Sequence, residues 1–139
     1  MKLIFMFVLI TISGCINHQG NYNHKPISKE DSEDFTIFNS MFYSDSNFQN
    51  SRIIKPLKGT IKNWDDDVIK EESWINKEVI VTPKERFMQV YNNLKVDLIK
   101  NDTIVIEKYW IEQSGFLIEK CFILKSGKWY LYSYNISNL

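Results

Sequence analysis

FTIFNSMFYSDSNFQNSRIIKPL, residues 35–57, places apolar rings at Phe35, Phe38 and Phe42 and, after Asp45, apolar side chains again at Phe48 and Ile53. Spacings of three and four keep the first set on one side of a 3.6-residue turn, which predicts an amphipathic helix with one buried stripe and then a second short turn. Ser32 or Asp34 can cap the first helix, Asp45 can cap the second, and Pro56 imposes extended backbone after it. Arg52, with Asp45 or Gln49, reads as a tie between the short helix and a strand end. No residue of this stretch is catalytic in type, so it speaks to fold and leaves chemistry to the rest of the chain.

The carboxyl-terminal third supplies the surface on which such helices can pack. Alternating β-branched, aromatic and charged residues predict strands over 103–111, 116–125 and 128–136, with turns at Glu112 to Gly115 and at Ser126-Gly127. The shortest turns set Ile111 opposite Phe116 and Lys125 opposite Lys128, and every other pairing follows. Glu107 then faces Lys120 and Lys108 faces Glu119, opposite charges on both sides of one strand pair, which supports the register. One face carries Val105, Tyr109, Ile118, Phe122, Trp129 and Leu131 and is expected to meet the helix. The other carries Trp110, Leu117, Cys121, Ile123 and the ladder Tyr130, Tyr132 and Tyr134; it is too apolar to stand bare in water.

The pattern Phe38-x3-Phe42-x2-Asp45-x2-Phe48-Gln49-x2-Arg52-Ile53-x2-Pro56-Leu57, together with FILKSGKWYL at 122–131, resembles a domain family of unknown function found in envelope lipoproteins of Bacteroidetes. The resemblance implies a nuclear-transport-factor-2-like, or cystatin-like, cone: an α+β fold with amino-terminal helices packed on the concave face of a curved, mostly antiparallel sheet. It carries no assigned catalytic residues to transfer, and residues 58–102 match it only loosely.

Within that segment Lys58 to Lys62 reads as a short strand, and Trp64-Asp65-Asp66-Asp67 as a solvated turn. The three aspartates lack the alternate spacing, glycine and terminal glutamate of a calcium loop. Thr82-Pro83-Lys84-Glu85 has a capping threonine and a proline suited to a first helical position, predicting a helix to about Asn92 that buries Phe87, Val90 and Tyr91.

Ahead of the helices, Lys2 precedes an apolar run at 3–12 that ends in Ile12-Ser13-Gly14-Cys15, which reads as a signal peptide over residues 1–14 closing on a lipobox. The run is too short to span a bilayer, and acylation of Cys15 at about 0.8 kcal/mol per buried methylene holds a chain firmly on a membrane. The other reading is an ordinary secretory signal with an incidental cysteine. Residues 15–33 have the polar composition of a tether, leaving one domain over 34–139. His18 and His24 both fall in the tether, where no fixed geometry or third ligand supports a metal site. Of 17 basic and 17 acidic residues only Lys2 leaves with the leader, so the remaining chain is near neutral and no nucleic-acid partner is implied. With Cys15 acylated, Cys121 has no disulfide partner and reads as a small strand residue.

Glu107, Lys120 and Ser133 fall side by side on the helix-facing side of three successive strands in this register, forming the candidate ligand pocket; a solvated salt bridge at the mouth of the cone is the plainer alternative. The domain contains no histidine, no phosphate loop and no metal cluster; no cofactor is expected. These readings point to a non-catalytic lipoprotein of the bacterial cell envelope that binds a small ligand or partner protein. The competing classes are a lyase or isomerase using Glu107 as base, and a pocketless structural or immunity-like protein. A homodimer formed through the tyrosine-bearing sheet face is the expected assembly, the alternatives being that residues 64–81 fold back to cover that face or that a different protein does.

Overall fold

A computed structural model describes residues 32–65, 68–75 and 77–138. Residues 1–14, read as a signal peptide, Cys15, the two histidines, the part of the expected tether up to residue 31, Asp66 and Asp67 lie outside the described residues. The phenylalanine stripe folds as α1 (Phe35–Ser44), followed at once by α2 (Ser46–Ser51). Asp34 accepts from the amides of Thr36 and Ile37, and Asp45 from those of Asn47 and Phe48, so each helix start has two of its free amides capped. Phe35, Phe38 and Phe42 are buried, and the rings of Phe38 and Phe42 each contact Phe122 in edge geometry.

A seven-stranded sheet follows: β1 (Ile53–Lys58), β2 (Thr60–Asp65), β3 (Val68–Ser73), β4 (Lys95–Lys100), β5 (Ile104–Trp110), β6 (Phe116–Lys125) and β7 (Lys128–Asn138), with α3 (Lys84–Val90) between β3 and β4. Strands run in the order β3-β2-β7-β6-β5-β4, and β1 also pairs with β7. β1 and β2 are parallel to β7 and every other pair is antiparallel, an α+β arrangement of helices followed by a curved sheet. Glu107 faces Lys120 and Lys108 faces Glu119, as the charge pairing predicts.

Between β6 and β7 the predicted register holds from Lys125–Lys128 to Phe122–Leu131 and then slips by one residue, so that Cys121 faces Ser133 and Lys120 faces Tyr134. Because side chains alternate along a strand, this bulge turns the last part of β7 over. Tyr134 and Ile136 come to the helix-bearing inner face, and Ser133 leaves it. The bulge lies where β7 changes partner from β1 to β2. That change occurs at Gly59, with φ of 106°, where any Cβ would run into the carbonyl oxygen of Tyr134.

The expected strand at 58–62 is thus the junction of two strands. The predicted helix after Thr82 is α3, which ends at Val90; Pro83 stands at its N-cap with no side-chain cap bond, and Val90 is 70% exposed rather than buried. Trp74 and Val81 turn to the inner face, where Trp74 stacks on Tyr134 with ring planes 7° apart and donates its indole N–H to the Tyr134 carbonyl. The Gln49 side chain pairs with both backbone groups of Val81. The Arg52 backbone N–H donates to the Gln49 carbonyl, but its guanidinium goes to Glu33, in a two-bond clasp of 3.0 and 3.1 Å, and also donates to the Trp129 carbonyl. Glu33, read as the last tether residue, accepts from the Trp129 amide as well and is fastened into the domain.

Candidate functional site

The alternation of β5 puts Glu107 and Tyr109 on the inner face two residues apart, and β6 brings Lys120 across from Glu107. Over them lies α1, whose Asn39 and Tyr43 are one turn apart beside the phenylalanine stripe. Asn39 Nδ2 donates to Glu107 Oε1 at 2.6 Å. The hydroxyls of Tyr43 and Tyr109 donate to Oε2 at 2.6 and 2.5 Å. Lys120 Nζ stands 3.8 Å from the same oxygen and donates to the Tyr43 hydroxyl at 2.8 Å and the Thr82 carbonyl at 2.7 Å. The ammonium also lies over the rings of Tyr43 and Tyr109, at 4.7 and 4.8 Å from their centroids.

Lys120 has no exposed surface. Burial lowers its pKa to about 8, against the opposing pull of the Glu107 charge. Burial, and then the Glu107 charge, raise Tyr43 and Tyr109 well above an ordinary phenol, so both stay protonated donors. Ser133, predicted as the third member, sits opposite Cys121 on the outer side and takes no part; Tyr134 occupies its expected place, its ring 5.9 Å from the Lys120 nitrogen.

Glu107 and Tyr109 also form the floor of a cleft of about 170 Å3 between α1, α3 and β4. Val96 faces Tyr109 and Leu98 faces Glu107 across β4 and β5, which puts both on the inner face, yet they are 40% and 54% exposed. Asn39 and Phe35 form the α1 wall, with Lys84 and Asp97 at the rim. A wider groove of about 500 Å3, between Ile53, Leu57, Trp74 and Val79, reaches none of this polar cluster.

No protein-family model matches the sequence, and no curated protein matches it. Among solved structures the chain is similar to a protein from Bacteroides uniformis ATCC 8492, 22% identical, covering 77% of each chain with a TM-score of 0.52. It is also similar to an NTF2-like protein from Bacteroides fragilis NCTC 9343, at 24% identity and a TM-score of 0.49 over 78% of this chain and 48% of that one; the chain spans about half the length of that protein. A protein from Bacteroides ovatus ATCC 8483 is 27% identical with a TM-score of 0.46, covering 73% of this chain and 72% of that one. With the Bacteroides uniformis protein the chain shares its fold, helices followed by a curved, mostly antiparallel sheet. In this α+β domain the helices shield β5 to β7 and leave the inner face of β4 open beside Glu107.

The arrangement fixes Glu107 in place. Its oxygens take three hydrogen bonds and a buried ammonium stands 3.8 Å from one of them, so the carboxylate is positioned by its partners. Asn39, Tyr43 and the Thr82 carbonyl were missed in the sequence. The first two had a signal, polar residues four apart bordering an apolar stripe; a backbone carbonyl has none.

Proposed function

We propose that the chain is a non-catalytic binding domain of the bacterial cell envelope, held at a membrane by acyl groups on Cys15, which takes a small amphipathic ligand in the cleft beneath α1. The observation that carries this reading is the open inner face of β4. Val96 and Leu98 occupy core-facing positions and remain exposed, next to a carboxylate held in place by three donors. An apolar wall ending in a fixed polar group selects a molecule by its length and its head. The three donors that hold Glu107 support a binding role, and the lipobox sequence supports the envelope setting. Native mass spectrometry of the protein purified from its own membrane tests the reading. A small molecule retained by the wild type and lost in Leu98→Lys is expected; equal content in both proteins would overturn the cleft as the site.

A second copy of the chain is proposed to cover the outer face. Trp74 and Val81 pack inward, so the segment that competes for that face is committed elsewhere. Trp110, Leu117, Ile123, Tyr130 and Tyr132 remain there beside Lys108 and Glu119, whose opposite charges let the same patch meet itself about a two-fold axis.

A further inference from the structure

We infer that the head group of the cleft ligand is a hydrogen-bond-donating cation, an alkylammonium with a short chain, seated on Oε1 of Glu107; this rests on the cleft being the binding site. The two oxygens of Glu107 are not equivalent. Oε2 receives two phenol hydroxyls and faces the Lys120 ammonium, whereas Oε1 receives only Asn39 Nδ2. A carboxylate oxygen has two lone-pair directions, so Oε1 keeps one acceptor position, and Glu107 and Asn39 both line the cleft.

An anionic head has nothing comparable to meet. Lys120 is the buried cation, but its hydrogens are directed to the Tyr43 hydroxyl and the Thr82 carbonyl, with the Tyr109 hydroxyl at 3.5 Å, and it lies behind the phenols rather than in the cleft wall. The Tyr43 and Tyr109 protons are likewise spent on Oε2. At the rim Lys84 stands 4.0 Å from Glu85 and Asp97 adds a second carboxylate, so the carboxylate at the floor sets the preference. The cleft of about 170 Å3 holds roughly five or six groups of water size, and Val96, Leu98 and Phe35 wall it with hydrocarbon. A four-carbon chain with one ammonium matches that volume and that polarity.

The test is a titration of the full-length protein with n-butylammonium, 1-butanol and butyrate, followed by methyl NMR at valine and leucine. Butylammonium is expected to shift the Val96 and Leu98 methyls saturably. Butanol should bind at least about tenfold more weakly, because a charge-assisted hydrogen bond exceeds a neutral one by roughly 1.4 kcal/mol. Butyrate should leave these methyls unmoved. Leu98→Lys, at an exposed position that folding does not need, should abolish the ammonium response. If butanol or butyrate binds as well as butylammonium and Leu98→Lys still removes the response, the head-group assignment is overturned and the cleft stands. If no compound moves these methyls, or binding survives Leu98→Lys, the cleft and the head group fall together.

Discussion

Lys120 and Glu107 place one opposite-charge pair inside a core of phenols and phenylalanines, and each charge depends on the other. Lys120→Met leaves Glu107 buried without its counter-ion and is expected to cost about 3–5 kcal/mol in a denaturant titration, whereas adding Glu107→Gln to it should recover part of that loss. A double variant as unstable as the sum of its parts would show that the pair is not coupled. The same residues set a pH profile. Folded Lys120 releases its proton at about 8, against 10.5 for an ordinary lysine, so across that interval the unfolded chain binds more protons and stability rises with pH. Tyr43 and Tyr109 are held above the ordinary 10.0, so beyond about that pH the folded chain binds more protons and stability falls again. Denaturation midpoints are expected to peak on the alkaline side, and Lys120→Met should flatten the rise above pH 8. A rise unchanged in that variant would assign it to another group.

At the scale of elements, α1 is held by rings and β7 by its change of partner. Phe42→Ala removes a fully buried ring that touches Phe38 and Phe122 and should cost about 3–5 kcal/mol; an unchanged Tm would reject the packing of α1 on the inner face. Gly59→Ala should destabilise as well, because positive φ and the Tyr134 carbonyl both oppose a side chain there. These two sites mark what the sequence made legible. The α1 stripe and the β5–β6 register are local patterns, three-and-four spacing in one case and charge alternation from a tight turn in the other, so Glu107 and Lys120 were placed correctly. The bulge after Leu131 answers to a distant feature, the break between β1 and β2 at Gly59. Nothing within Tyr132-Ser133-Tyr134 distinguishes the two registers, and Ser133 was therefore put where Tyr134 stands. β4 was missed for a different reason: with its inner face open, Lys95 to Lys100 needs no continuous apolar run to hold its place.

For the molecule as a whole, the proposed acylation of Cys15 and the proposed pairing of the outer face are the two points to test. Cys15→Ser is expected to release the protein from membranes, and a variant that stays bound would mean that residues 1–14 act as an anchor helix. The outer face predicts a dimer. Sedimentation of the full-length Cys15→Ser protein is expected to show two copies at micromolar concentrations, since Trp110, Tyr130 and Tyr132 are the kind of residues that interface cores favour. Tyr132 is half-buried, and its hydroxyl accepts a hydrogen bond from Lys58 at the surface, so Tyr132→Glu leaves the inner core untouched. A carboxylate set near its own symmetry mate in an apolar patch should split the dimer while the circular dichroism spectrum is retained. Lys108→Glu should weaken it too, by setting like charges against Glu119 of the other copy, and adding Glu119→Lys should restore pairing if the two residues meet across the axis. A wild-type monomer at high micromolar concentration would remove the second copy from the outer face, and a dimer indifferent to Tyr132→Glu would move the contact to another surface.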